Sequence, residues 1–166
     1  MSEPIAPTPL SDGAIRTRRD RLADFLDVWG DLQVADYGSA VERRLLAFTL
    51  DAPGQDLPVE IKARYREYYR RGRPGGWHLA KYDYEYFDVA RGKRLAYHLH
   101  DIGPRRLVAH AHCEDATDLA EAEGSHHLRA IEVDLREAHE EFMRLWASDT
   151  APDCRRFLPL GITRTF

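Results

Sequence analysis

Residues 77–112 read WHLAKYDYEYFDVARGKRLAYHLHDIGPRRLVAHAH, and the period of this stretch decides the fold. Successive strand residues point to opposite sides, so period-two alternation marks a sheet with two unlike faces. Tyr82, Tyr84 and Tyr86 alternate with Asp83, Glu85 and Phe87. After the turn Ala90-Arg91-Gly92, Leu95, Tyr97 and Leu99 alternate with Ala96, His98 and His100. After Gly103-Pro104, Leu107, Ala109 and Ala111 alternate with Val108, His110 and His112. Three antiparallel strands joined by two short turns are predicted, with an apolar face for the core and a histidine face turned to solvent or a cleft.

Similar patterns lie on either side. ERRLLAFTLD at 42–51 reads as a mostly buried strand. LPVEIKARYREYY at 57–69 sorts Val59, Ile61, Ala63 and Tyr65 against Glu60, Lys62, Arg64 and Arg66. HHLRAIEVDL at 126–135 alternates again and is predicted as a further strand. Helical spacing occurs twice. From Ser11 to Trp29, Ile15, Leu22, Phe25, Leu26 and Trp29 recur before Gly30. In REAHEEFMRLWAS, Ala138, Phe142, Leu145 and Trp146 form one stripe. The expected fold is α+β: a curved antiparallel sheet of about five or six strands packed with an N-terminal and a C-terminal helix. The domain is expected over 11–150, with a Pro/Ser-rich disordered lead at 1–10 and a tail at 151–166.

Charge is unevenly distributed. Residues 59–114 hold twelve Lys/Arg against seven Asp/Glu, whereas the rest holds twelve against twenty-one, giving the net charge of −4. A basic middle suits an anionic ligand, and ordinary surface charge is the plain alternative. No apolar run is long enough for a membrane span, and the start MSEPIAPTPLSDG lacks the pattern of a signal peptide. Two cysteines, Cys113 and Cys154, form no disulfide framework, so free thiols and a cytoplasmic location are expected. RRGRPGG matches neither nucleotide-binding glycine pattern.

Four of the eight histidines, His98, His100, His110 and His112, fall within fifteen residues. A hairpin turning near Gly103 pairs positions whose numbers sum to about 206–210, and an even sum places all four imidazoles on one face. Three readings follow. The cluster is incidental surface decoration. Alternatively, two or three imidazoles ligate zinc or nickel with Cys113, Asp101 or Glu114, although Cys113 alternates away from His112. In the third and preferred reading, which needs neither metal nor cofactor, imidazoles exchange protons with a phosphodiester. His98 and His110 are then the acid–base pair, His100 and His112 orient the phosphate, and Arg106 holds the developing charge. KARYREYYRRGRPGGW interleaves cations with rings as an RNA-binding surface would. Lys62, Arg64, Arg66, Arg70 and Arg71 are the expected phosphate contacts, and Tyr82 and Tyr84 the stacking residues. Charge protecting an edge strand would give the same alternation.

The order of these features resembles the small toxin proteins of the TumE type, from bacterial toxin–antitoxin pairs. The likeness runs over residues 77–146: a tyrosine strand (KYDYEYFD), a turn at Gly92, a return strand (KRLAYHLHD), a histidine strand (VAHAHCED) and a terminal helix. HLHD lacks the Asn-Ala-Pro of the first histidine element in that family, and AHAH stands where the family has His-His-Lys-His. The resemblance implies an RNA-acting, ribonuclease-like toxin held by an antitoxin partner. The residues alone also allow a non-catalytic interaction or nucleic-acid-binding module, or a metal-binding protein. A homo-oligomer is left open.

Overall fold

The predicted alternation organises one continuous sheet. The computed structural model describes residues 8–39, 42–52, 60–72, 75–101, 107–115, 127–129 and 132–146. The strands are β1 (Asp31–Ser39), β2 (Arg43–Ala52), β3 (Ile61–Arg71), β4 (Trp77–Asp88), β5 (Lys93–Asp101), β6 (Leu107–Asp115) and β7 (His127–Arg129). Helix α1 (Asp12–Asp27) precedes them and α2 (Leu135–Trp146) follows. All neighbours are antiparallel, and spatial order equals chain order from β1 to β7. The α+β expectation of a sheet with a helix at either end therefore holds, as six long strands and a short seventh. Among the described residues no helix is long and apolar enough to cross a membrane.

One sheet face carries the core. Phe48 and Leu50 of β2, Ala63 and Tyr65 of β3, Tyr84 and Tyr86 of β4, Leu95 and Tyr97 of β5, and Ala111 of β6 are buried together. Both helices add to that cluster, α1 through Ile15, Leu22 and Leu26, and α2 through Leu135, Ala138 and Phe142. Ser11 caps α1, its hydroxyl accepting from the Ala14 amide at 3.1 Å. Asp134 and Glu137 cap α2 reciprocally, each carboxylate accepting from the other's amide at 2.8–2.9 Å. Gly30 lets the chain turn from α1 into β1, because a Cβ there would lie 2.5 Å from the Asp51 carbonyl. Gly92 takes a positive φ of 60° in the β4–β5 turn.

The core face is not wholly apolar. Glu67 is fully buried, and its carboxylate accepts from Arg18 at 2.6 and 2.9 Å, Tyr69 at 2.6 Å and Tyr84 at 2.7 Å. His139 of α2 is also fully buried, its Nδ1 2.7 Å from the Tyr65 hydroxyl and its ring edge-on to Phe25 and Trp29. Burial pushes the His139 pKa down to about 4.

Four expectations need correction. Strand β1 was not read from the sequence at all. Among the described residues of 126–135, His127–Arg129 form a strand, whereas Leu135 already opens α2 beyond the Asp134 cap. Leu10, expected within the disordered lead, is instead ordered, exchanging backbone hydrogen bonds of 2.7 and 2.8 Å with Trp77. Cys113 is disulfide-bonded rather than a free thiol. The chain's other cysteine is Cys154. One bond needs only two cysteines close in space, which spacing along the chain does not reveal. Disulfides are uncommon in reducing compartments, so free thiols no longer argue for a cytoplasmic location. Residues 1–7, the tail 151–166, and the side chains of Leu145 and Trp146 lie outside the described residues.

Candidate functional site

The second sheet face is read most easily as rows running across the strands. Antiparallel partners project to the same side, so the register fixes each row. One row is Ala47, Arg66, Asp83, His98 and His110. The next is Thr49, Arg64, Glu85, Ala96 and His112. His98 stands directly opposite His110, the even register that puts the four histidines on one face. The backbone of β7 extends the second row, setting His127 opposite His112.

The four imidazoles form a contiguous cluster. Ring centroids are 5.2 Å apart for His98 and His110, 4.8 Å for His98 and His112, 5.0 Å for His110 and His112, and 4.9 Å for His100 and His110. The accessible face predicted for them is not what forms. His98 and His110 are each 7% exposed and His112 0%, while His100 is half-buried. Rings pack on rings, and the long neighbouring side chains fold along the sheet to meet carboxylates instead of extending into solvent.

Those carboxylates are Asp83 and Glu85, which the sequence reading left without a role. Glu85 Oε2 accepts from Arg64 Nε at 2.8 Å and Nη2 at 2.5 Å, and its Oε1 accepts from Arg94 at 2.7 Å. His98 Nε2 lies 3.7 Å from Glu85 Oε1, beyond hydrogen-bond length, and makes no hydrogen bond. Burial alone would raise the Glu85 pKa, but the Arg94 and Arg64 guanidiniums outweigh it and hold the carboxyl well below the usual range. Asp83 pairs with Lys81 at 3.1 Å and Arg66 at 3.4 Å. Four cations thus surround two carboxylates beside the histidines.

Among the described residues, two sets of side chains present ligand atoms that converge within 4.8 Å of one another: His98, His110 and His112, and Asp83, His98 and His100. Zinc with bonds of about 2.0–2.1 Å holds tetrahedral nitrogens about 3.3 Å apart, so small rotations would close the first set. Three imidazole ligands would leave a fourth position for water or an anion, the plan of hydrolytic rather than closed structural sites. No described contact brings Cys113 to this set, since it lies on the core face.

The expected nucleic-acid residues are scattered. Lys62, Arg70 and Arg71 are exposed, whereas Arg64 and Arg66 are half-buried against Glu85 and Asp83. Tyr82 and Tyr84 are corrected outright. They are buried on the core face, stacked on each other at 4.3 Å, with no face open to a base. Tyr65, Tyr69 and Trp77 are likewise buried. The alternation that puts Asp83, Glu85 and the histidines on one side sends these rings to the other. Arg106, the expected phosphate holder, lies outside the described residues. The polar residues missed by the sequence reading had a signal: Asp83 and Glu85 interrupt a tyrosine strand at the same parity.

A search of known protein families, curated proteins and solved structures finds no match to this chain. The fold and site define a class only: an α+β meander with a histidine cluster on the face opposite its helices.

Proposed function

We propose that this protein binds one divalent transition-metal ion through His98, His110 and His112, with zinc the natural candidate. One observation carries the reading: three buried imidazoles whose ligand atoms converge within 4.8 Å. His98 Nε2 is buried without a hydrogen bond, a costly state that a metal would relieve. Asp83 and His100 supply alternative or supporting donors. Three protein ligands suit an ion that polarises a bound water, so the activity class is metal-assisted hydrolysis.

Metal-independent cleavage of RNA by the same histidines is the second reading. The cations Arg64, Arg66, Lys81 and Arg94 favour it, standing beside the imidazoles where a phosphodiester would need compensation. On that reading His98 and His110 remain the acid–base pair, and the antitoxin partner implied by the TumE resemblance remains part of the proposal.

One experiment separates the two. Tag-free, metal-stripped protein is titrated with Zn2+ and with Co2+, and parallel samples are incubated with labelled RNA in EDTA. The expected result is one ion per chain and a tetrahedral cobalt spectrum, with affinity falling at least about tenfold in His98→Ala, His110→Ala and His112→Ala. Unchanged affinity in all three variants refutes the metal centre. Cleavage in EDTA that disappears in His98→Ala and His110→Ala selects the second reading.

A further inference from the structure

Among the described residues, two of the three exposed large hydrophobic side chains lie on β1: Val34, 41% exposed, and Tyr37, 64% exposed. That strand is the first of the sheet, and among the described residues nothing pairs with its outer edge. An open edge offers a row of backbone donors and acceptors to any extended chain. Proteins usually blunt it with lysine, proline, a bulge or a very short strand. β1 has none of these devices. It runs for nine residues, DLQVADYGS, with no Lys, Arg or Pro, and its register with β2 is unbroken. Its two acids guard it poorly. Asp36 is held by Arg44 in a two-bond pair of 2.8 and 2.5 Å, and Asp31 stands at the very end of the strand.

The charges beside this edge run head to tail. At one end Asp31 stands opposite Asp51, and at the other Ser39 stands opposite Arg43. These positions share the histidine face, because Ala35, of the same parity, continues the row Ala47–Arg66–Asp83–His98. Asp31, Asp51 and Arg43 are exposed, and none makes an ion pair among the described residues. Like charges directly opposite, as in Asp31 and Asp51, destabilise a sheet. One end of the edge is therefore acidic, and the other carries a cation with no carboxylate. A two-fold axis across the edge brings the two ends together.

We propose that β1 is the interface of a homodimer, in which β1 of a second copy pairs with it, antiparallel, about a two-fold axis at Ala35. An axis normal to the sheet keeps every residue on its own face, so only residues of equal parity become partners. Centring on Ala35 is the one such register that pairs all nine residues of the strand. It sets Tyr37 against Gln33 of the second copy, Val34 against Asp36 and Ser39 against Asp31. Arg43 then stands two strand spacings, about 10 Å between backbones, from Asp31 of the second copy, within reach of an extended arginine. The contact occurs twice, once on each side of the axis, and selects the orientation more than it adds affinity. Ala35 and its partner Ala47 are small, so the two sheets meet at the axis without a ridge and continue into one. Both histidine clusters then lie on the same surface of the joined sheet.

The test uses the full, tag-free chain in EDTA, so that no metal ion bridges two copies and the metal centre has no bearing on the result. Sedimentation velocity from about 1 to about 500 µM should show the monomer giving way to a species of twice its mass. Val34→Lys and Tyr37→Lys, both at exposed positions, should each raise the dissociation constant at least about tenfold with an unchanged melting temperature. Arg43→Asp should also weaken the dimer, and adding Asp31→Arg to the same chain should restore it, because the swap recreates the pair across the axis. Ala35→Cys reads the register. Its thiol meets its own counterpart across the axis, at about 4.5–5.5 Å between Cα atoms, so mild oxidation should give a covalent dimer. Gln33→Cys lies about 14 Å from its counterpart and should not crosslink. A chain that stays monomeric throughout, a dimer indifferent to both lysine variants, a charge swap that restores nothing, or crosslinking at position 33 instead of 35 overturns the proposal.

Discussion

Replacing Glu67 with alanine should be among the most damaging single changes in this fold. The carboxylate is fully buried and accepts four hydrogen bonds, two from Arg18 and one each from Tyr69 and Tyr84. Removing it leaves two buried hydroxyls without that acceptor, at about 1–3 kcal/mol each. The Arg18 side chain is 31% exposed, so it recovers part of its hydration and adds less. Relief from burying the carboxylate itself offsets some of the loss. The net expectation is about 3–5 kcal/mol, as for breaking other buried ion pairs. Against a usual total of about 5–15 kcal/mol, that is a large share. Glu67→Gln keeps the shape and one acceptor and should cost less than half as much. Urea unfolding followed by tryptophan fluorescence gives the values. Tyr84→Phe completes a double-mutant cycle with Glu67→Ala and should show coupling above about 0.5 kcal/mol. A loss below about 1 kcal/mol for Glu67→Ala, or strict additivity in the cycle, refutes the reasoning.

His139 makes stability depend on pH. Its folded pKa of about 4 lies below the ordinary 6.5, so between those values the unfolded chain binds the extra proton. Stability is therefore complete above about pH 6.5 and lost as pH falls towards 4, by about 3 kcal/mol. His139→Gln should flatten that part of a pH series of unfolding midpoints, and an unchanged slope would count against the burial argument. Phe142 stacks on Tyr86 at 4.5 Å and is fully buried. Phe142→Ala should cost about 3–5 kcal/mol in denaturant unfolding. If the histidines hold zinc, ion at a hundred times Kd adds about 2.7 kcal/mol of stability, or about 5–10 °C in melting temperature. The same scan on His110→Ala should show at most about half that shift at the same zinc concentration.

The parts of this fold legible in the sequence are those where both faces of a strand carry strong, opposite signals. Leu95–Leu99 against the histidines leaves no other parity, whereas the Tyr82 and Tyr84 rings read as stacking surface until the sheet placed them in the core. Strand β1 was illegible for the opposite reason. It is an edge strand whose Val34 and Tyr37 are exposed, so burial imposes no clear pattern on it. The strand read through Leu135 shows period two competing with a capping signal. Asp134 and Glu137 at the spacing of a capping box marked the true helix start. The histidine cluster was legible as a shared face, but its burial was not. That burial involves side chains from β3 and β4, and Arg64, Arg66, Asp83 and Glu85 meet the hairpin only once the sheet is assembled.

Because the two faces of β5 differ so completely, the chain is intolerant of one class of change that its side chains alone would not suggest. Inserting a single residue between Arg94 and Leu95 alters no side chain, yet shifts the parity of the rest of the strand. Tyr97 and Leu99 would then move to the arginine–carboxylate face, and His98 and His100 would turn inward beneath α2. A two-residue insertion restores the parity and displaces the strand only along its own axis. Deletion or insertion scanning across β5 should therefore alternate between collapse and tolerance with each added residue.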